Sequence, residues 1–99
     1  MIKKTFLSQI KKDLISFNKE RNEIFRETRT VLQSSKSAIF AMHRNDMAQA
    51  KKDIKNAEAI LKSLNTKFKE DQRLRFEGSY RAAAEEYVEA KVFMNALTD

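Results

Sequence analysis

An all-α fold, a long first helix with two further antiparallel helices, is predicted by three features of this chain. One glycine and no proline in 99 residues leave almost nothing to punctuate strands and tight turns. Apolar residues recur at steps of three and four over long stretches, the period of a helix face. The pattern is interrupted at only two places, Asn45-Asp46 and the charged run Lys69 to Arg75. A chain of this length makes one domain, 1–99, with helices expected at about 3–43, 47–69 and 76–97.

Some 40 residues at 1.5 Å each give the first helix a length of roughly 60 Å. Two adjacent stripes run along it at seven-residue spacing, Phe17, Ile24, Val31, Ala38 and Phe25, Leu32, Ile39. Together they form an apolar face wide enough for more than one neighbour. Asp46 followed three residues later by Gln49 has the form of a capping box, which satisfies open amides at a helix start. The second helix carries the cleanest heptads, Met47, Ala50, Ile54, Ala57, Leu61, Leu64 and Phe68. It folds back antiparallel across a short turn. The third helix, starting near Phe76 or Glu77, has an apolar seam at Tyr80, Ala83, Tyr87, Ala90, Met94 and Leu97. A second helix of roughly 33 Å covers little more than half of the first. Phe6, Leu7, Ile10, Leu14 and Ile15 are thereby left without a partner in the chain, so a homo-oligomer is expected.

Charge is segregated along the sequence. Residues 1–76 hold 18 Lys/Arg against 9 Asp/Glu, a net of +9, whereas residues 77–99 hold 2 against 5, a net of −3. A basic body with an acidic last helix suits a polyanion held beside carboxylates. No cysteine is present, which excludes disulfides and thiolate metal sites. No apolar segment is long enough to span a bilayer, and Lys11, Lys12 and Asp13 interrupt any secretory signal, so no membrane partner is expected and the location is read as cytoplasmic.

A second stripe on the last helix points to chemistry. Ala82, Glu86, Glu89, Phe93 and Ala96 follow steps of four, three, four and three, the spacing of a helix–helix seam. Acids among apolar residues need a cation, a base or a proton to neutralise them. Glu86 and Glu89, three apart and about 5–6 Å from each other at Cβ, are placed to share one Mg²⁺ or Mn²⁺. Glu85, one turn from Glu89, is a third candidate ligand. The plain alternative is a pair of structural glutamates bridged to Lys or Arg of a neighbouring helix. A ferritin-like di-iron site is set aside because no Glu-x-x-His motif occurs. His43, the only histidine, is assigned to the end of the first helix, where it favours the dipole. For nucleic acid the candidates are Lys19, Arg21, Arg26, Arg29, Arg73, Arg75 and Arg81, because the guanidinium fork matches phosphate oxygens. Phe76 and Tyr80 are either stacking faces or core.

Two stretches resemble the translin family. The first, Ser35-Lys36-Ser37-Ala38-Ile39-Phe40-Ala41-Met42-His43-Arg44, is similar to the Ser-Lys…Ile-Phe…His-Arg run of its factor X branch. The second runs from Gly78 to Ala90, where Gly78, Ala83, Glu86, Tyr87, Glu89 and Ala90 fall at the family's spacing. The resemblance implies a translin-like helical bundle that assembles into closed shells and binds single-stranded RNA or DNA. In the factor X branch and archaeal relatives it implies metal-dependent endoribonuclease activity. Two of the metal-holding acids belong to the family's Glu-Tyr-x-Glu-Ala motif, here Glu86 and Glu89. A further acid comes from a later helix, since the resemblance covers the N-terminal half of the family fold. The alternative is a helical oligomerisation or interaction module without catalysis.

Overall fold

The computed structural model describes residues 4–70 and 78–98. They form three helices, α1 (Lys4–His43), α2 (Met47–Glu70) and α3 (Gly78–Thr98), with no strand among the described residues. The expected starts at Lys3 and at Phe76 or Glu77 lie outside the described residues. The particle is a rod of 67 × 18 × 17 Å, its length set by α1 and its width by helices packed side by side.

The reversal between α1 and α2 is built by local hydrogen bonds. Asn45 adopts φ 63°, a left-handed conformation that asparagine tolerates better than most residues. It lets the Asp46 amide donate to the Ala41 carbonyl at 2.8 Å and the Asn45 amide to Met42 at 3.1 Å. This is the Schellman arrangement, which satisfies the last carbonyls of α1. Asp46 then caps α2, accepting from the Gln49 amide at 3.2 Å. Only half of the expected capping box forms. The Gln49 side-chain amide donates forward to Asp53 at 3.0 Å, and the Asp46 amide, which the Gln49 oxygen would accept from in a full box, donates to Ala41 instead. Asp46→Ala should lower stability by about 1 kcal/mol in urea unfolding, the usual cost of losing an N-cap.

Three layers of side chains hold the rod, and each draws on all three helices. At the turn end, Ala38, Ala41 and Met42 of α1 meet Ala50 and Ile54 of α2 and Ala90 and Met94 of α3. The middle layer is Val31, Ala57 and Ala83 with Tyr87 beside it. The far layer is Ile24, Leu64 and Phe68 with Phe17 and Tyr80. As α1 advances from 24 to 38 the contacting residues of α2 fall and those of α3 rise, so α2 is antiparallel and α3 parallel to α1. The layers are thin in volume: Ala38, Ala50, Ala57 and Ala90 are wholly buried, which lets the helices approach closely.

The stripe on α1 is shifted from its expected position. Ile24, Val31 and Ala38 are buried, but the second buried row is Thr28, Ser35 and Met42. Phe25 is exposed, and Leu32 and Ile39 pack at the margin. Thr28 and Ser35 bury hydroxyls with no hydrogen-bond partner among the described residues. Their contribution is small size. Beyond the far layer α1 runs on alone among the described residues, with Phe6, Leu7, Ile10, Leu14 and Ile15 between 41% and 59% exposed. No helix among the described residues is long and apolar enough to cross a membrane.

Candidate functional site

The rotation of α3 decides where its acids point, and two residues fix that rotation. Ala90 is fully buried against Ala38, Ala41 and Met42. Tyr87 packs beside the middle layer and donates its phenolic O–H to Glu58 of α2. Lys91 pairs with the same carboxylate at 3.4 Å. The Tyr87 hydrogen bond holds the Glu58 carboxyl below its ordinary range, helped by Lys91. Burial, with the Glu58 charge beside it, pushes the Tyr87 phenol up to about 12.

The signs give a test. Glu58 is depressed when folded, so its contribution is present above an unfolded value near 4.5 and is lost as pH falls through the folded value. The raised phenol contributes fully below pH 10 and loses that contribution as pH rises toward 12. Tyr87→Phe should cost about 1 kcal/mol at neutral pH, the scale of one hydrogen bond, and less at pH 3. Equal losses at both pH values in urea titrations would show that the phenol does not stabilise the carboxylate.

With Tyr87 and Ala90 turned inward, Glu86 is half-buried and Glu89 exposed on a flank of α3. The stripe through Ala82, Glu86, Glu89, Phe93 and Ala96 does not enter the core: Ala82 and Ala96 are exposed, and only Glu86 and Phe93 are half-buried. The described ion pairs join Lys67 to Glu27, Arg81 to Glu85 and Lys91 to Glu58, so none of them neutralises Glu86 or Glu89. Glu85 is turned to Arg81, at 3.2 Å, away from the other two acids. Among the described residues no three His, Asp, Glu or Cys side chains converge on a metal-sized space. The donor chemistry of Glu86 and Glu89, oxygen only and outside the described ion pairs, suits a hard ion held through two carboxylates, with water and phosphate completing the shell.

The basic candidates divide between faces of the fold. Arg26 and Arg29 are exposed on the solvent side of α1, opposite Val31 and Ala38. Lys12 and Lys19 precede Arg26 at seven-residue steps, and Lys36 follows Arg29 by seven, all exposed. Glu23, four residues after Lys19 and three before Arg26, is an acid within reach of this row. Arg21 lies on another side of the helix, its guanidinium 5.6 Å from the Phe25 ring centroid. Arg81 is paired with Glu85 on α3, and Arg73 and Arg75 lie outside the described residues. Tyr80 is taken by the core: its ring meets Phe68 edge-on at 4.8 Å and its hydroxyl donates to Asn65 at 2.8 Å. Phe76 lies outside the described residues.

Sequence periodicity missed Phe40. It sits inside an apolar run yet is 63% exposed, one turn from Lys36 and one from Arg44. Its place among basic residues at four-residue spacing was the available signal. His43, at the end of the same stretch, meets Phe93, one turn beyond Glu89, with ring centroids 5.2 Å apart and the planes tilted by 36°. The end of the basic row and the acidic flank of α3 therefore adjoin.

The fold defines an elongated all-helical bundle whose charge is segregated by helix. Residues 19–98 match the translin family, and the chain belongs to it. That family is one of nucleic-acid-binding, oligomeric proteins. No curated protein and no solved structure matches the chain.

Proposed function

We propose that this chain binds single-stranded RNA or DNA along the solvent face of α1 as a homo-oligomer, with Glu86 and Glu89 forming the protein's share of a Mg²⁺- or Mn²⁺-dependent endoribonuclease site. The observation that carries the reading is the contact of His43 with Phe93, which joins the exposed basic row of α1 to two glutamates that no described ion pair neutralises. Arg26, Arg29 and Lys36 hold phosphates, and Phe40 offers a stacking face that tolerates any base. Glu86 and Glu89 would hold the metal, which when bound lowers the pKa of a water and offsets charge on the phosphoryl group. Their own part is to fix its position beside the strand, with neither of them engaged in a described ion pair.

A second reading, a binding shell without catalysis, is favoured by the absence of a third converging acid among the described residues. The two readings part in one assay. Labelled single-stranded RNA is incubated with the chain in Mn²⁺ or in chelator, beside a Glu86→Ala/Glu89→Ala variant. Cleavage that needs both metal and glutamates is expected. Retarded but intact RNA in every lane would leave the binding shell. No retardation even at low salt would leave a helical interaction module whose charge serves solubility.

A further inference from the structure

α3 is fastened to its two neighbours in different ways. Toward α1 it presents Ala83, Ala90 and Met94, all buried. From Ala83 to Ala90 that seam is made of methyl groups, which fix the distance between helices but carry no long ridge to resist a roll about the axis. Toward α2 there is little packing at all: both helices lie along α1, but they scarcely touch each other. The groove between them, lined in part by Glu58, Leu61, Asn65 and Tyr87, is crossed by polar links. Among those described, Tyr80 donates to Asn65 at 2.8 Å, Tyr87 donates to Glu58, and Lys91 pairs with Glu58 at 3.4 Å. Two of these links end on one carboxylate.

Tyr87 stands between Glu86 and Glu89 in the chain, and successive residues of a helix lie about 100° apart around its axis. The shoulder of α3 that faces α2 and the shoulder that carries the acids therefore turn together. With carboxylates roughly 6 Å from the axis, a roll of about 20° displaces them by roughly 2 Å. A divalent ion tolerates far less, because a binding constellation must be held to about 0.5 Å. On the acidic shoulder Phe93 meets the His43 ring, so a roll released at Glu58 also has to slide that contact.

We propose that Glu58, which lies outside the metal site, is a positioning residue for it: by accepting the Tyr87 O–H it sets the roll of α3, and with it the placement of Glu86 and Glu89. Glu58 itself holds no metal, since it belongs to α2 and meets α3 on the shoulder away from the two acids. Lys91, one turn beyond Tyr87, steadies the same carboxylate. This rests on the metal-site reading above and extends it to a second helix.

Two measurements on the full chain test it, with helicity checked by circular dichroism. The first needs no metal. Spin labels on Gln33→Cys/Ala82→Cys, both exposed positions in a chain without other cysteines, report the distance between α1 and the acidic flank of α3. That distance is expected to be single and narrowly distributed, and to broaden or shift when Tyr87→Phe or Glu58→Ala is added. Glu58→Gln, which keeps an oxygen to accept from the phenol, should leave it narrow. The second measurement follows Mn²⁺ alone by electron paramagnetic resonance. Wild type is expected to bind it more tightly than Glu86→Ala/Glu89→Ala. Tyr87→Phe and Glu58→Ala should each lose about tenfold in affinity, the scale for removing a supporting partner. Combining them should lose no more than either alone, as two ends of one bond. Glu58→Gln should keep the affinity, and so should Ile24→Val, which loosens the far layer without touching the pair. Unchanged Mn²⁺ affinity in Tyr87→Phe and Glu58→Ala overturns the positioning role while leaving the metal reading intact. An equal loss in Ile24→Val also overturns it, because general loosening then suffices. A wild type that binds Mn²⁺ no more tightly than the double glutamate variant overturns both.

Discussion

Leu64→Ala is expected to lower the free energy of unfolding by about 3 kcal/mol, within the range for emptying a packed leucine site. Leu64 has no exposed surface and anchors the layer it shares with Ile24 and Phe68. Among the described residues that layer is the last before α1 runs on alone. Phe68 is held edge-on to Tyr80, and Tyr80 is tethered to Asn65, so neither ring can move into the cavity without giving up its partner. A domain of this size has only about 5–15 kcal/mol in hand, so urea unfolding should register a large shift of midpoint. Ile24→Val, which removes one methylene from the same layer, should cost about 1 kcal/mol. A loss below 1 kcal/mol for Leu64→Ala would mean that this end of the bundle is loosely packed. The opposite error is tested by Ala57→Leu, where three carbons must be forced between helices held apart only by alanine-sized contacts. A cost of about 1–3 kcal/mol is expected there.

The residues differ in how far the sequence disclosed them, for a physical reason. Burial along α2 follows the heptads because that helix packs along a single seam, so Ala50, Ile54, Ala57, Leu64 and Phe68 announce themselves by period. On α1 the period was legible but its exact face was not. Thr28 and Ser35 carry hydroxyls, and an apolar count passes over them in favour of Phe25 and Leu32. What the core required at those positions was small volume beside α3, which hydrophobicity does not report. Phe40 fails in the same way from the other side: an aromatic in an apolar run reads as core, yet it stands between Lys36 and Arg44 in solvent. The pair Glu86 and Glu89 was legible as two acids on one stripe. Their surroundings were not, because the openness of the flank depends on how Tyr87 and Glu58 set the rotation of α3. The Tyr87–Glu58 bond joins residues 29 apart and leaves no trace in local spacing.

Reversing charge at Arg26 and Arg29 should weaken binding of single-stranded RNA far more than any comparable change elsewhere on the surface. Five exposed bases, Lys12, Lys19, Arg26, Arg29 and Lys36, share one face of α1, with Glu23 beside Lys19 and Arg26 at its edge. If each meets a phosphate, the logarithm of affinity should fall against the logarithm of salt with a slope of about −3.5, roughly −0.7 per contact on a single strand. Raising salt from 50 to 200 mM then costs roughly a hundredfold in affinity. Arg26→Glu/Arg29→Glu should flatten the slope by about 1.4 as two contacts disappear, and should lower affinity most at low salt. Lys51→Glu/Lys52→Glu, an equal change of charge on exposed positions of α2, separates local contact from net charge. Phe40→Ala tests a different interaction on the same face. Losing a stacked base costs about 1–3 kcal/mol but releases no counter-ions, so affinity should drop at every salt concentration while the slope stays put. If the α2 pair matches the arginine pair in both affinity and slope, the ridge is only a share of diffuse positive charge. If Phe40→Ala leaves binding unchanged, the exposed ring belongs to a protein contact, and phosphates alone hold the strand.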